Sequence, residues 1–200
     1  SHKNSTLVLP EKTIELDFNN DELLKLDTAI NNERAELFFA EKVILVEGET
    51  EKIVYDYLIR LKGLDPNLLN ISIIETSGKG SMYRYVLLLE SLKIPFVIIA
   101  DTDILELTGD AKRDVRIKEN NDDAVRKNKR IEESITSKTR LFMNHPYFEV
   151  VAGISENNIL KVESKPLTAI TYFQEIGSYQ DIMRKFPDVL HPVESILSEE

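Results

Sequence analysis

Four carboxylates stand where two apolar runs end. Glu47 and Glu51 close the stretch KVILVEGETE, and Asp101 and Asp103 close PFVIIADTD. Like charges brought this close repel unless something positive lies between them, and a divalent metal is the obvious candidate. Hard oxygen donors suit Mg²⁺ or Mn²⁺, which also bridge substrate phosphates. A single acid in such a place is more often a helix cap or a solvated loop end. Four acids at two strand ends point instead to one shared site.

The elements that must position them follow from the apolar pattern. Val43, Ile44, Leu45 and Val46 show no polar alternation, so both faces of that strand are buried, as in a parallel sheet. Open α/β sheets place their ligands at the carboxyl ends of such strands, where Glu47 falls. A helix starting at Glu49 lets Glu47 and Glu51, four residues apart, face one side. Its apolar face reads as Ile53, Val54, Tyr57, Leu58 and Leu61, ending near Gly63. Ile71 to Ile74 forms a second strand, followed by a helix from about Ser81 to Leu92 with Tyr85, Leu88, Leu89 and Leu92 inward. Phe96 to Ala100 forms the third strand, which Pro95 can open without cost to a ladder. Strand, helix, strand, helix, strand predicts an α/β fold with strands near 42–47, 70–75 and 96–101 side by side in a largely parallel sheet.

Around this centre the chain is plainer. Residues 3–20 carry scattered β-formers that read as edge strands or an arm, and a helix is expected from Asn20 into Phe38. Residues 109–138 are crowded with charge and amide side chains, and form either a mobile insertion or a solvated helix. Order returns at Leu141 to Met143 and at Pro146 to Val151, and Lys165-Pro166 opens a helix to about Glu175. A short amphipathic piece bearing Ile182, Met183 and Phe186 precedes a frayed acidic tail. The expected domains are a lead-in arm and helix over 1–38, a central α/β unit over 39–190 and the tail over 191–200.

Composition narrows the functional class. The 200 residues are 42% hydrophobic, enough for a sizeable core, and carry a net charge of −10 with a pI near 4.9. That balance disfavours a general electrostatic grip on DNA or an anionic membrane, but not nucleic acid handled through metal ions and a local basic patch. The absence of cysteine excludes disulfides and thiolate metal sites. No apolar run approaches the length of a membrane span, so the expected setting is the cytoplasm, without a membrane partner.

Strand–Glu–Gly–x–x–Glu followed about fifty residues later by strand–Asp–x–Asp resembles a TOPRIM domain, the metal-dependent catalytic module of topoisomerases, primases and several nucleases. Ala35-Glu36-Leu37-Phe38-Phe39-Ala40 leading into ILVEGETE is similar to the OLD (overcoming lysogenization defect) family of endonucleases. So is the later order of Asp101-x-Asp103, Phe148-Glu149 and Lys165-Pro166. The resemblance runs over residues 33–175. It implies a Rossmann-like sheet and metal ligands at Glu47, Glu51, Asp101, Asp103 and Glu149, with Lys165 stabilising charge near the scissile phosphate. It further implies hydrolysis of DNA phosphodiesters with two Mg²⁺ or Mn²⁺ ions, without a covalent protein intermediate, in DNA processing or antiviral defence of a Gabija-like kind. Such families join this domain to an N-terminal ABC-type ATPase and leave room for a homo-oligomer. No GxxxxGK[ST] occurs here, so the chain is expected to be the C-terminal half of a longer protein or one without its ATPase. A primase-like or RNA-processing enzyme on the same fold, and a noncatalytic interaction domain, stay open as alternatives.

Other residues rank lower. Lys79, flanked by Gly78 and Gly80, could meet a phosphate before a helix, although a plain turn explains those residue types more simply. Arg126, Lys127, Lys129 and Arg130 could touch DNA, but charge runs are usually solvated faces. His2, His145 and His191 lack the spacing of metal ligands.

Overall fold

Strand β3 (Lys42–Val46) is hydrogen-bonded on both sides, by β4 (Ile71–Glu75) and by β5 (Phe96–Asp101), and β6 (Leu141–Asn144) joins beyond β5. The order is β4-β3-β5-β6 and all three pairings are parallel. The computed structural model describes residues 5–9, 12–16, 37, 39–137, 140–154 and 164–198. A separate antiparallel pair, β1 (Ser5–Leu9) and β2 (Lys12–Leu16), precedes the main sheet. The helix expected over residues 20–38 lies outside the described residues.

Helices cover both faces of the sheet, which is why its strands carry apolar residues without alternation. Helix α1 (Glu49–Leu61) connects β3 to β4, α2 (Lys79–Leu92) connects β4 to β5, and α3 (Ala111–Ser134) lies between β5 and β6. One helical turn, α4 (Phe148–Val151), follows β6, and then come α5 (Lys165–Ile176), α6 (Tyr179–Lys185) and α7 (Pro187–Ser198). Successive strand residues part to opposite faces. Ile44, Val46, Val97 and Ile99 pack against α1, α5, α6 and α7, whereas Val43, Leu45, Ile98 and Ala100 pack against α2 and Ile131 of α3.

Two details depart from the expectations, and a third decides between two alternatives left open. The buried face of α1 is Glu51, Val54, Tyr55, Leu58 and Ile59, rotated from the predicted one so that Ile53, Tyr57 and Leu61 are only partly buried. Tyr55 and Ile59 take those places because α1 packs against α5 and α7 as well as the sheet, which widens its apolar stripe. The polar stretch after β5 is a helix, α3, in which Ile117, Ala124, Asn128 and Ile131 form one narrow buried stripe. Asp110 caps it, accepting the backbone N–H groups of Lys112 and Arg113 at 2.9 and 3.0 Å. The frayed acidic tail expected over 191–200 is, through Ser198, part of a core helix. Val189, Leu190, Val193 and Ile196 of α7 are fully buried, and its Glu194 accepts Tyr179 Oη at 2.6 Å. Its acids lie opposite that apolar stripe and conceal it in composition. Among the described residues no helix is long and apolar enough to cross a membrane.

Candidate metal centre

Glu47 leaves β3 at its carboxyl end, Asp101 ends β5, and β3 and β5 are neighbours, so the two acids share one edge of the sheet. Glu47 Oε2 lies 3.4 Å from the backbone nitrogen of Asp101. Glu51 sits in the first turn of α1, where the helix field favours a carboxylate. Gly48 makes room for it, since a Cβ at residue 48 would stand 3.3 Å from Glu51 Oε2. Glu149 comes from α4 and Lys165 from the first residue of α5, after Ser164 caps that helix. All six predicted residues (Glu47, Glu51, Asp101, Asp103, Glu149 and Lys165) line a single open cavity of about 520 Å³, with Tyr147 on its rim.

The electrostatics of this cavity are those of crowded acids. Burial pushes the Glu51 carboxyl up to about 8, and the charges of Asp101, Glu47 and Glu149 add to the rise. Burial likewise raises Asp101 to about 7, against the Asn144 hydrogen bond that favours its ionised form. Glu47 is raised by burial too, with the nearby Lys79 charge opposing. The donor set is therefore right in kind for a hard divalent cation, and too negative without one. Among the described residues no three His, Asp or Glu side chains already gather around one point at coordination distance. Ionised carboxylates this close repel one another, and a bound cation would offset that repulsion.

The raised values make a prediction for metal-free protein. A carboxyl whose folded value exceeds its unfolded one keeps its proton in the fold after the unfolded chain has lost it. Its stabilising share is complete below the unfolded value, 3.8 for Asp101 and 4.5 for Glu51, and is lost as pH rises through the folded value, near 7 for Asp101 and 8 for Glu51. In chelator the melting temperature should therefore fall by on the order of 5 °C between pH 5 and pH 8.5. Glu51→Gln should flatten that slope. An equal slope in the variant would show that Glu51 is not crowded in the fold.

Two residues of this centre are missed or ranked low by sequence reasoning. Asn144 is 5% exposed, pairs in register with Asp101 across β5 and β6, and donates from Nδ2 to Asp101 Oδ1 at 3.1 Å. It has no signal in the sequence, because only strand register brings it there. Lys79 is the other. It opens α2 as a buried residue rather than as part of a solvated turn, with Nζ 2.6 Å from Asp103 Oδ2 and 4.0 Å from Glu47 Oε2. The loop before it is tied to β3 through Gly78 N–H donating to the Glu47 carbonyl at 3.0 Å. Gly78 holds φ at +98°, a conformation that favours glycine. The predicted basic scatter is engaged within the protein: Lys127 pairs with Asp123 at 2.7 Å, and the Arg130 guanidinium lies 3.5 Å over the Tyr83 ring.

Residues 38–103 match the family described as overcoming lysogenization defect protein-like, TOPRIM domain. An OLD nuclease of Thermus scotoductus is 26% identical over 88% of this chain and 33% of its own length. The endonuclease GajA of Bacillus cereus is 31% identical over 59% of this chain and 19% of its own length. The chain thus spans a third or less of the relatives it matches. Among solved structures, the C-terminal region of the Burkholderia pseudomallei OLD protein aligns at a TM-score of 0.47 and 17% identity, covering 80% of this chain and 98% of that one. That likeness is too distant to bear on the site.

Proposed function

We propose that the chain, whose residues 38–103 match the OLD-like TOPRIM family, is the catalytic part of a metal-dependent DNA endonuclease that hydrolyses phosphodiester bonds. The observation that carries this reading is the single cavity at the carboxyl edge of the parallel sheet, lined by six carboxylates and one lysine. Glu47, Glu51, Asp101, Asp103 and Glu149 would hold the ions. Two divalent cations bound there would supply an activated water and a neutralised leaving oxygen.

The chain's own residues do the rest. The Asn144 amide fixes the orientation of Asp101 at the end of β5. Lys165 Nζ stands 3.5 Å from Glu149 Oε1 with its side chain largely exposed, so its ammonium can reach a nonbridging phosphate oxygen at the cavity mouth. The helix field at the start of α5 is unfavourable to a lysine, which argues that this charge serves a ligand.

The share of its relatives that the chain spans supports a larger protein, in which an N-terminal ABC-type ATPase precedes this domain. We extend this reading to DNA processing or phage defence, with the cytoplasm as the setting. Supercoiled plasmid incubated with Mg²⁺ or Mn²⁺ should be nicked, and chelator should stop it. Ca²⁺ should bind yet support little cleavage, because its looser coordination does not hold an in-line geometry. Intact plasmid in every metal, together with no Mn²⁺ binding by calorimetry, would return the acids to a structural role.

A further inference from the structure

Lys79 is a cation inside an acidic site. Its side chain is 3% exposed, and an ammonium so buried needs an opposite charge beside it. Asp103 supplies that charge at 2.6 Å while remaining half exposed itself, and Glu47 stands at 4.0 Å. The contact is held from the other side as well. Asp103 takes a left-handed backbone conformation, φ +54°, with its N–H donating to the Pro146 carbonyl at 2.9 Å. Asn128 of α3 donates to the Thr102 carbonyl at 2.9 Å, fixing the residue before it. A second cavity of about 760 Å³ opens beside this pair, between the start of α2 and α3. It shares Glu47, Asp103 and Tyr147 with the metal cavity and adds to its walls Arg84 and the Lys127–Asp123 pair, whose ammonium is half exposed.

Resting on the metal-dependent reading above, we propose that Lys79 is the internal counter-ion of this site, which competes with the divalent metal for Asp103 and yields to it when a nucleic-acid phosphate enters the α2–α3 groove. The ammonium and an incoming cation repel each other, so Lys79 lowers metal affinity while it stays on Asp103. An anionic phosphate near Arg84 and Lys127 attracts the same ammonium and frees the carboxylate. Metal and substrate then favour each other's binding, and by linkage the effect is equal in both directions. Cations are kept weakly bound until there is a strand to cut.

The test measures Mn²⁺ affinity from the free-ion electron paramagnetic resonance signal, with and without a hydrolysis-resistant phosphorothioate duplex. Lys79→Met keeps the length and removes the charge. It should bind Mn²⁺ on the order of tenfold more tightly than wild type without the duplex. Lys79→Arg keeps the charge and should stay within a few-fold of wild type. The duplex should tighten Mn²⁺ binding several-fold in wild type and hardly at all in Lys79→Met. Equal or weaker Mn²⁺ binding by Lys79→Met would overturn the proposal alone, since Lys79 would then orient Asp103 for the metal. An undiminished duplex effect in that variant would overturn it as well. Wild type that binds no Mn²⁺ in either condition would overturn the metal-dependent reading with it. Lys79→Gln carries the comparison if the methionine variant does not fold, and loss of the fold in both would make Lys79 a structural brace and end the proposal.

Discussion

Asp101→Ala should abolish plasmid nicking, by at least on the order of 10³ in rate, and should weaken Mn²⁺ binding in the same protein. Asp101 sits at the end of β5, its carboxyl is raised by burial and then by its acidic neighbours, and it is oriented by Asn144. Glu47→Ala should behave alike, because it removes the acid at the end of the neighbouring strand. Stability is predicted to move differently in the two. Losing one crowded charge stabilises metal-free protein, but Asp101→Ala also strands the Asn144 amide, which is 5% exposed, at a cost of about 1–3 kcal/mol. The two effects are of similar size and should largely cancel. Asp101→Asn removes the charge while keeping an acceptor for Asn144, so it should melt higher than wild type in chelator at pH 8 and still fail to nick. Single-turnover nicking beside calorimetry and thermal melts reads all three quantities. Nicking by Asp101→Ala at even a tenth of the wild-type rate would remove that residue from the chemistry.

Lys165→Ala should lower turnover by on the order of 10²–10³ while leaving Mn²⁺ affinity unchanged, the cost of losing one preorganised charge stabiliser. Its contact with Glu149, at 3.5 Å from a largely exposed ammonium, is a surface ion pair worth at most about 1 kcal/mol. Loss of activity with an unshifted melting temperature therefore separates a role at the phosphate from a role in the fold. Lys165→Arg should recover only part of the rate, since a planar fork replaces a point charge. The metal titration discriminates further: if Lys165→Ala lost Mn²⁺ affinity as well as rate, the lysine would be acting through Glu149. Nicking at the wild-type rate would leave Lys165 as an ordinary exposed residue at the start of α5.

What the sequence by itself determined is what short-range pattern encodes. Three uniformly apolar runs separated by helical periodicity required a parallel sheet buried on both faces, and the observed strands at 42–46, 71–75 and 96–101 follow the runs closely. The acids at the ends of two such runs had to share an edge, because parallel neighbours present the same end to solvent. What only the tertiary structure decided depends on contacts between distant segments. The rotation of α1 was hidden because several helix faces were apolar enough, and the choice fell to packing against α5 and α7. Helix α7 was hidden because its buried residues, Val189, Leu190, Val193 and Ile196, are interleaved with polar ones at the end of an acidic chain. Asn144 had no signal in residue type and Lys79 ranked below a plain turn, since neither has a local partner that marks it. One is separated by 24 residues from Asp103 and the other by 43 from Asp101. An ammonium or an amide gains a role at an acidic centre only when the sheet register and the loop after β4 have carried it there, and those are set by the collective burial of the two cores.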